Sequence, residues 1–345
     1  GLSIIISLAV AVILFEGGLT LDLKGYRTAT REILGILTIG VLVTWLGTAG
    51  LLKLVFGFDL AFCLLAASLV IVTGPTVIGP LLALVRPSRS VASILKWESI
   101  FIDPIGALLA VITFEVILLG GAQNATPGAI LGDMAEFAFV GVLVGAVVAY
   151  AASIALQRHL VPEHLQPLFG LSIAMFAFMV SDVLTAESGL LATTVLGFVL
   201  ANQRNLRTEQ IIHFSEVVRV LLIGVLFLIL SARLTTEQLR VDLPAAFALI
   251  LALVLVARPI SVAVSTIGSR LNWRERVLLA GVAPRGIVAA SVASVFALEL
   301  EHEGIAGAEE LTPLVFAVIV GTVLIYGVGM GPLARRLGLA EKHQE

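Results

Sequence analysis

Residues 58–84 read FDLAFCLLAASLVIVTGPTVIGPLLAL. The run is long enough to cross a bilayer, which takes about 20 apolar residues. Near its middle, Thr73-Gly74-Pro75-Thr76 interrupts it. Proline removes a backbone donor and clashes with the preceding turn, so a regular helix cannot continue through it. A second run, residues 276–298, is interrupted in the same way by Pro284-Arg285-Gly286. Broken backbone at membrane depth persists only where it lines a cavity or is buried in protein. Two such breaks, one in each half of the chain, point to a secondary transporter fold with an ion site where the broken helices cross.

Working outward, the rest of the chain is built for the same solvent. It is 59% hydrophobic and 13% charged, with a mean hydropathy of +1.09. A soluble domain carries about 25% charged residues, so the composition is that of an all-α polytopic membrane protein. The lone Cys63 excludes an intramolecular disulfide and any cysteine-based metal site. It reads as a small buried hydrophobe. Eleven apolar segments are expected as helices: 1–21, 32–52, 58–84, 92–118, 129–156, 165–183, 188–201, 211–231, 244–266, 276–298 and 311–332. None shows the ten-residue alternation of a membrane barrel.

Orientation follows from Lys and Arg in the loops. The odd-numbered loops and the tail carry Lys24, Arg27, Arg31, Arg86, Arg89, Arg158, Arg204, Arg207, Arg270, Arg274, Arg276, Arg335, Arg336 and Lys342; the even-numbered loops carry Lys53, Arg233 and Arg240. This asymmetry supports the helix count, which a single missed helix would scramble. It also makes the odd loops and the C-terminus cytoplasmic, in a cell (inner) membrane. The two broken segments then run in opposite directions, as in an inverted-topology repeat. We read 1–345 as one transmembrane transporter domain, with 58–118 and 244–298 as the core ion-translocating helices and 333–345 as a cytoplasmic tail.

The chemistry rests on few residues. Asp103 lies about eleven residues into its segment, roughly 16 Å along a helix axis, near the middle of the hydrocarbon core. A carboxylate there is costly and marks a functional site. Ser99 is one turn earlier on the same face. Its hydroxyl either joins Asp103 as an oxygen ligand for a proton or a hard monovalent cation, or bonds its own backbone. Glu98 points about 100° away and needs a cationic partner when buried. Arg258, deep in its segment without a local acid, is the expected partner in a structural ion pair. Arg219 has Glu216 three residues before it and reads as a local surface pair. Glu16, in Phe15-Glu16-Gly17-Gly18, is an uncompensated acid, read as part of the ion pathway or a second ligand. Glu115, Asp133, Glu136, Asp182 and Glu187 lie nearer segment ends and carry no functional reading. At the first break, freed carbonyls can coordinate a cation, with hydroxyls from Thr73 and Thr76 added. At the second, Arg285 either neutralises the carbonyl ends that meet there or responds to cytoplasmic pH.

Phe15-Glu16-Gly17-Gly18-Leu19, Thr73-Gly74-Pro75-Thr76, Glu98-Ser99-Ile100-Phe101-Ile102-Asp103-Pro104 and Ala283-Pro284-Arg285-Gly286, in that order, resemble the NhaP-type branch of the monovalent cation:proton antiporters. The resemblance covers nearly the whole chain. It implies a fold of thirteen helices, of which the first two would precede Gly1, and a homodimer whose core domain moves against a dimerisation domain. It implies Asp103 as the ion-binding aspartate, Ser99 and the Thr73 backbone as further ligands for Na⁺ or K⁺, and Glu16 as an acid reached through water. Glu98 and Arg258 resemble the family's structural pair. Relatives of this kind often continue into a cytoplasmic nucleotide-binding regulatory domain, absent from this chain.

Two positions depart from the pattern: Ile102 stands where the family often has Asn, and Gly74 where it often has Asp. One carboxylate is then left to serve ion and proton in turn, which favours electroneutral one-for-one exchange. The expected substrates are Na⁺, K⁺ or Li⁺ and H⁺, with no cofactor, no nucleic acid and no enzymatic reaction. An organic-anion carrier on a related inverted-repeat fold is the alternative, and it needs polar or basic binding groups rather than a lone acid. A channel needs a repeated filter loop, and an intramembrane aspartyl protease needs a second deep aspartate; neither is visible.

Overall fold

A computed structural model describes residues 2–21, 23–74, 78–79, 81–82, 87–118, 127–203, 206, 208–233, 243–302 and 307–339. All elements among them are helices. They are α1 (Leu2–Leu19), α2 (Leu23–Thr28), α3 (Thr30–Phe56), α4 (Leu60–Val70), α5 (Arg89–Leu118), α6 (Pro127–Gln157), α7 (Gln166–Leu184), α8 (Ser188–Ala201), α9 (Glu209–Arg233), α10 (243–265), α11 (Trp273–Ala280), α12 (Ile287–His302) and α13 (Ala308–Leu337). Each apolar segment read from the sequence contains a helix, and the segment 276–298 contains parts of two, α11 and α12, on either side of its break. Among the described residues, six helices are long and apolar enough to span a bilayer by length and composition. Large apolar side chains stay outside, among them Val217, Val220, Leu221 and Leu228 on α9. Such a surface is unstable in water and suits lipid.

The contacts divide the chain into two compact units. The first comprises residues 1–23 and 107–231. Its core joins Phe15 and Leu19 of α1 to Ala149, Ala152 and Leu156 of α6, Ala174 and Ala177 of α7, and Leu196 and Leu200 of α8. The short α8 sits at the centre of this packing. Without lipid-driven burial to hold helices together, close backbone approach at small residues does the work. A Cβ on Gly197 would lie 2.3 Å from the Phe15 carbonyl oxygen, and one on Gly18 would lie 2.4 Å from that of Thr194. Only glycine fits at this crossing of α1 and α8.

The second unit comprises residues 24–106 and 232–345. It contains both breaks. The first broken segment starts as α4, capped by the Asp59 carboxylate accepting from the Ala61 N–H at 3.0 Å, and loses helical structure after Val70. The second starts as α11, stops at Ala280, and resumes as α12 at Ile287. A capping box of Asn272 and Glu275 fixes the start of α11. The helices preceding the two broken segments, α3 and α10, each contain one π turn, at Ile36–Gly40 and Leu253–Ala257. The extra residue of a π turn shifts the side-chain register and is often found next to functional sites. Here the second one immediately precedes Arg258. The two helices pack at Gly40, whose carbonyl accepts the Ser261 hydroxyl at 2.9 Å.

Candidate functional site

The breaks meet. Thr73 and Arg285 form an antiparallel backbone bridge, with the Gly74 N–H donating to the Pro284 carbonyl at 3.2 Å and the Gly286 N–H donating to the Val72 carbonyl at 3.3 Å. Two interrupted helices thus satisfy part of each other's freed backbone, as burial requires. The approach is tight: a Cβ on Gly286 would sit 2.5 Å from the Cα of Gly74. Pro75 and Thr76, read as part of the first break, lie outside the described residues.

Arg285 is buried at the crossing, and its guanidinium donates to the Ile71 carbonyl at 2.6 Å. That carbonyl lies just beyond the end of α4, where the partial negative charge of a helix C-terminus gathers. The guanidinium occupies the carbonyl-neutralising position, one of the two roles considered from the sequence. Thr322 of α13 braces the same point, accepting the Arg285 N–H at 3.2 Å.

Asp103 stands on α5, the helix that packs over the first break. The contact is set by Gly106, where a Cβ would lie 2.3 Å from Val72 and 3.0 Å from the Ser68 carbonyl. Asp103 is three residues before Gly106 and shares its face. It is 1% exposed, and neither carboxylate oxygen has a hydrogen-bond partner among the described residues. The Thr73 hydroxyl is buried and likewise unpartnered. Buried polar atoms are nearly always satisfied, so these unpartnered oxygens stand out among the described residues as candidate ligand groups. Ser99 is buried one turn away and donates its hydroxyl to the Lys96 carbonyl at 3.0 Å. This is the backbone bond that the sequence offered as one of the two alternatives for Ser99.

Glu98 faces the other way and meets Arg258. The Arg258 guanidinium donates to both Glu98 oxygens, one contact measuring 2.8 Å. Its Nε donates to the Leu279 carbonyl at 3.2 Å. Both residues are buried. The bidentate fork with further bonds is the geometry that lets a buried ion pair recover its desolvation cost.

Glu16 belongs to the first unit and requires a correction. It is not uncompensated: Arg219 donates to it at 2.8 Å. The local pair of Arg219 with Glu216 is present as a longer contact of 4.0 Å to an exposed acid, and Glu16 is the closer partner. Position on the helices decides the outcome. Glu16 is buried on α1, where the α1–α8 glycine crossing fixes its backbone, and a buried acid gains more from a cation than an exposed one does.

Comparison with known proteins bears on the family and the fold. The "Probable Na(+)/H(+) antiporter 2" of Methanocaldococcus jannaschii is 22% identical, over 91% of this chain and 77% of that protein. The K(+)/H(+) antiporter NhaP2 of Shewanella oneidensis is 26% identical, over 95% of this chain and 56% of that longer protein. The solved structure of the sodium proton antiporter MjNhaP1 from Methanocaldococcus jannaschii superposes with a TM-score of 0.84 at 22% identity, covering 95% of this chain and 84% of that one. At that identity the superposition establishes the fold. The family model described as sodium/hydrogen exchanger, transmembrane, matches residues 1–336; this chain belongs to that family.

Proposed function

We propose that this chain is a monovalent cation/proton antiporter in which Asp103 binds Na⁺ or K⁺ in competition with a proton. The observation that carries the reading is the Asp103 carboxylate, buried beside the crossed breaks with no hydrogen bond among the described residues. A carboxylate held this way is too costly to move bare through a low-dielectric core. Loaded with a proton or a cation it is neutral, and the loaded core then exchanges its exposure between the two faces. Thr73 and Ser99 supply further oxygens to the cation. Glu98 and Arg258 neutralise each other permanently and serve the frame. Because one carboxylate carries one cation one way and one proton the other, exchange is one-for-one and electroneutral. The organic-anion alternative is not favoured: Arg285 at the crossing spends a donor on the Ile71 carbonyl, whereas Asp103 is an acid with neither oxygen bonded among the described residues.

The same reading makes the protein a homodimer in the cell membrane with a cytoplasmic C-terminus. The arginine asymmetry of the loops supports the orientation, and the family resemblance supports the dimer. The test is exchange in proteoliposomes with an imposed pH gradient and an internal pH dye, adding Na⁺, K⁺ and Li⁺ in turn. Cation-dependent collapse of the gradient, at a rate indifferent to an imposed membrane potential, supports the proposal. No response to any of the three cations refutes it.

A further inference from the structure

Unit two also holds a cavity whose lining shares no residue with the crossing. It has a volume of about 400 Å³ and is lined by Arg27, Arg31 and Arg270, with Ser90, Ser269 and the acids Glu32 and Glu275 in its wall. Its residues come from three separate stretches: α2 with the start of α3, the first turn of α5, and the loop between α10 and α11. All three belong to the arginine-rich, odd-numbered loops.

Three arginines line this cavity, and among the described residues none of them is ion-paired with a carboxylate. The ion pairs among the described residues are Arg219 with Glu16 and Glu216, and Arg258 with Glu98. The two acids in the wall are engaged otherwise. Glu275 accepts the Ser88 hydroxyl at 2.7 Å and the Asn272 N–H at 3.1 Å. Glu32 accepts the Arg270 backbone N–H at 3.3 Å. Arg31 is held by one bond to the Gly268 carbonyl at 2.9 Å, which aims the group and leaves its other N–H donors available. Arg27, Arg31 and Arg270 are all exposed.

We propose that this cavity binds a phosphate group, carried by an anionic lipid or free in solution. Forked guanidinium donors on two separate stretches of chain, with the Ser90 and Ser269 hydroxyls beside them, suit the several oxygens of a phosphate group. The volume falls within the range of ligand pockets. Basic pockets at the ends of membrane helices are suited to anionic headgroups.

Native mass spectrometry of the purified protein tests this without recourse to transport. With equal phosphatidylglycerol and phosphatidylcholine in the micelle, the wild type retains phosphatidylglycerol preferentially. The double variant Arg27→Gln/Arg270→Gln loses that preference about fivefold or more. Arg335→Gln/Arg336→Gln, which removes the same charge at the end of α13, keeps it. Asp103→Asn also keeps it, so failure of this site and failure of the antiporter reading separate cleanly. Displacement by inorganic phosphate makes free phosphate a ligand as well; retention against phosphate assigns the lipid headgroup. A melting scan establishes that the double variant is folded. Undiminished preference in the folded double variant, or equal loss in the Arg335/Arg336 control, overturns the proposal.

Discussion

Removing Glu98 is the sharpest perturbation of the frame. Glu98→Ala leaves Arg258, which is 3% exposed, with the Leu279 carbonyl and no carboxylate. Breaking a buried pair by deleting one partner costs about 3–5 kcal/mol, because an uncompensated charge stays behind. At about 1.4 kcal/mol per tenfold, the folded population falls by about two to three and a half orders of magnitude. In a melting scan of detergent-purified protein this corresponds to a loss of roughly 5–15 °C. The double variant Glu98→Gln/Arg258→Met removes both charges and keeps the volume, and it recovers most of the loss, since an apolar replacement of a buried pair is often neutral. A Glu98→Ala protein that melts with the wild type, or a double variant that falls further than the single one, refutes the reasoning.

Other consequences follow from the same contacts. Gly286→Ala drives a Cβ to 2.5 Å from the Gly74 Cα and displaces the crossing; exchange in proteoliposomes drops about tenfold or more, whereas wild-type rates contradict the fit. Arg219→Gln removes the 2.8 Å partner of Glu16, and a double-mutant cycle with Glu16→Gln, read by thermal melting, gives a coupling of about 1–3 kcal/mol; additive effects argue against the pair. Gly197→Leu places a side chain where 2.3 Å separates Cβ from a backbone oxygen, and monodisperse yield in size-exclusion chromatography collapses; normal yield contradicts the α1–α8 crossing.

Much of this architecture is legible in the sequence because the membrane reduces the problem to length and interruption. An apolar run of bilayer length has one stable conformation, and Gly-Pro or Pro-Arg-Gly inside it has one explanation. Glu98 and Arg258 could be paired from helical faces alone: two deep charges of opposite sign, neither with a local partner, must find each other. The Glu16–Arg219 pair was not legible, since 203 residues separate the partners and Glu216 offered a nearer, weaker choice. Only the glycine crossing of α1 on α8 reveals which acid is buried. The π turns leave no mark in runs of Leu, Val and Ile. The start of α11 did leave one, in Asn272-x-x-Glu275, but it lies in polar sequence ahead of the apolar run. The arginine cavity was visible only as scattered loop charges that serve equally to set orientation.

The central claim is competition at one carboxylate, and proton release measures it most directly. Purified protein in a lightly buffered solution receives Na⁺, K⁺ or Li⁺ while a pH indicator is followed. The account predicts that cation binding expels protons from the wild type, and that Asp103→Asn, folded by melting, expels none. Release that persists in Asp103→Asn, or cation binding to the wild type without release, contradicts it.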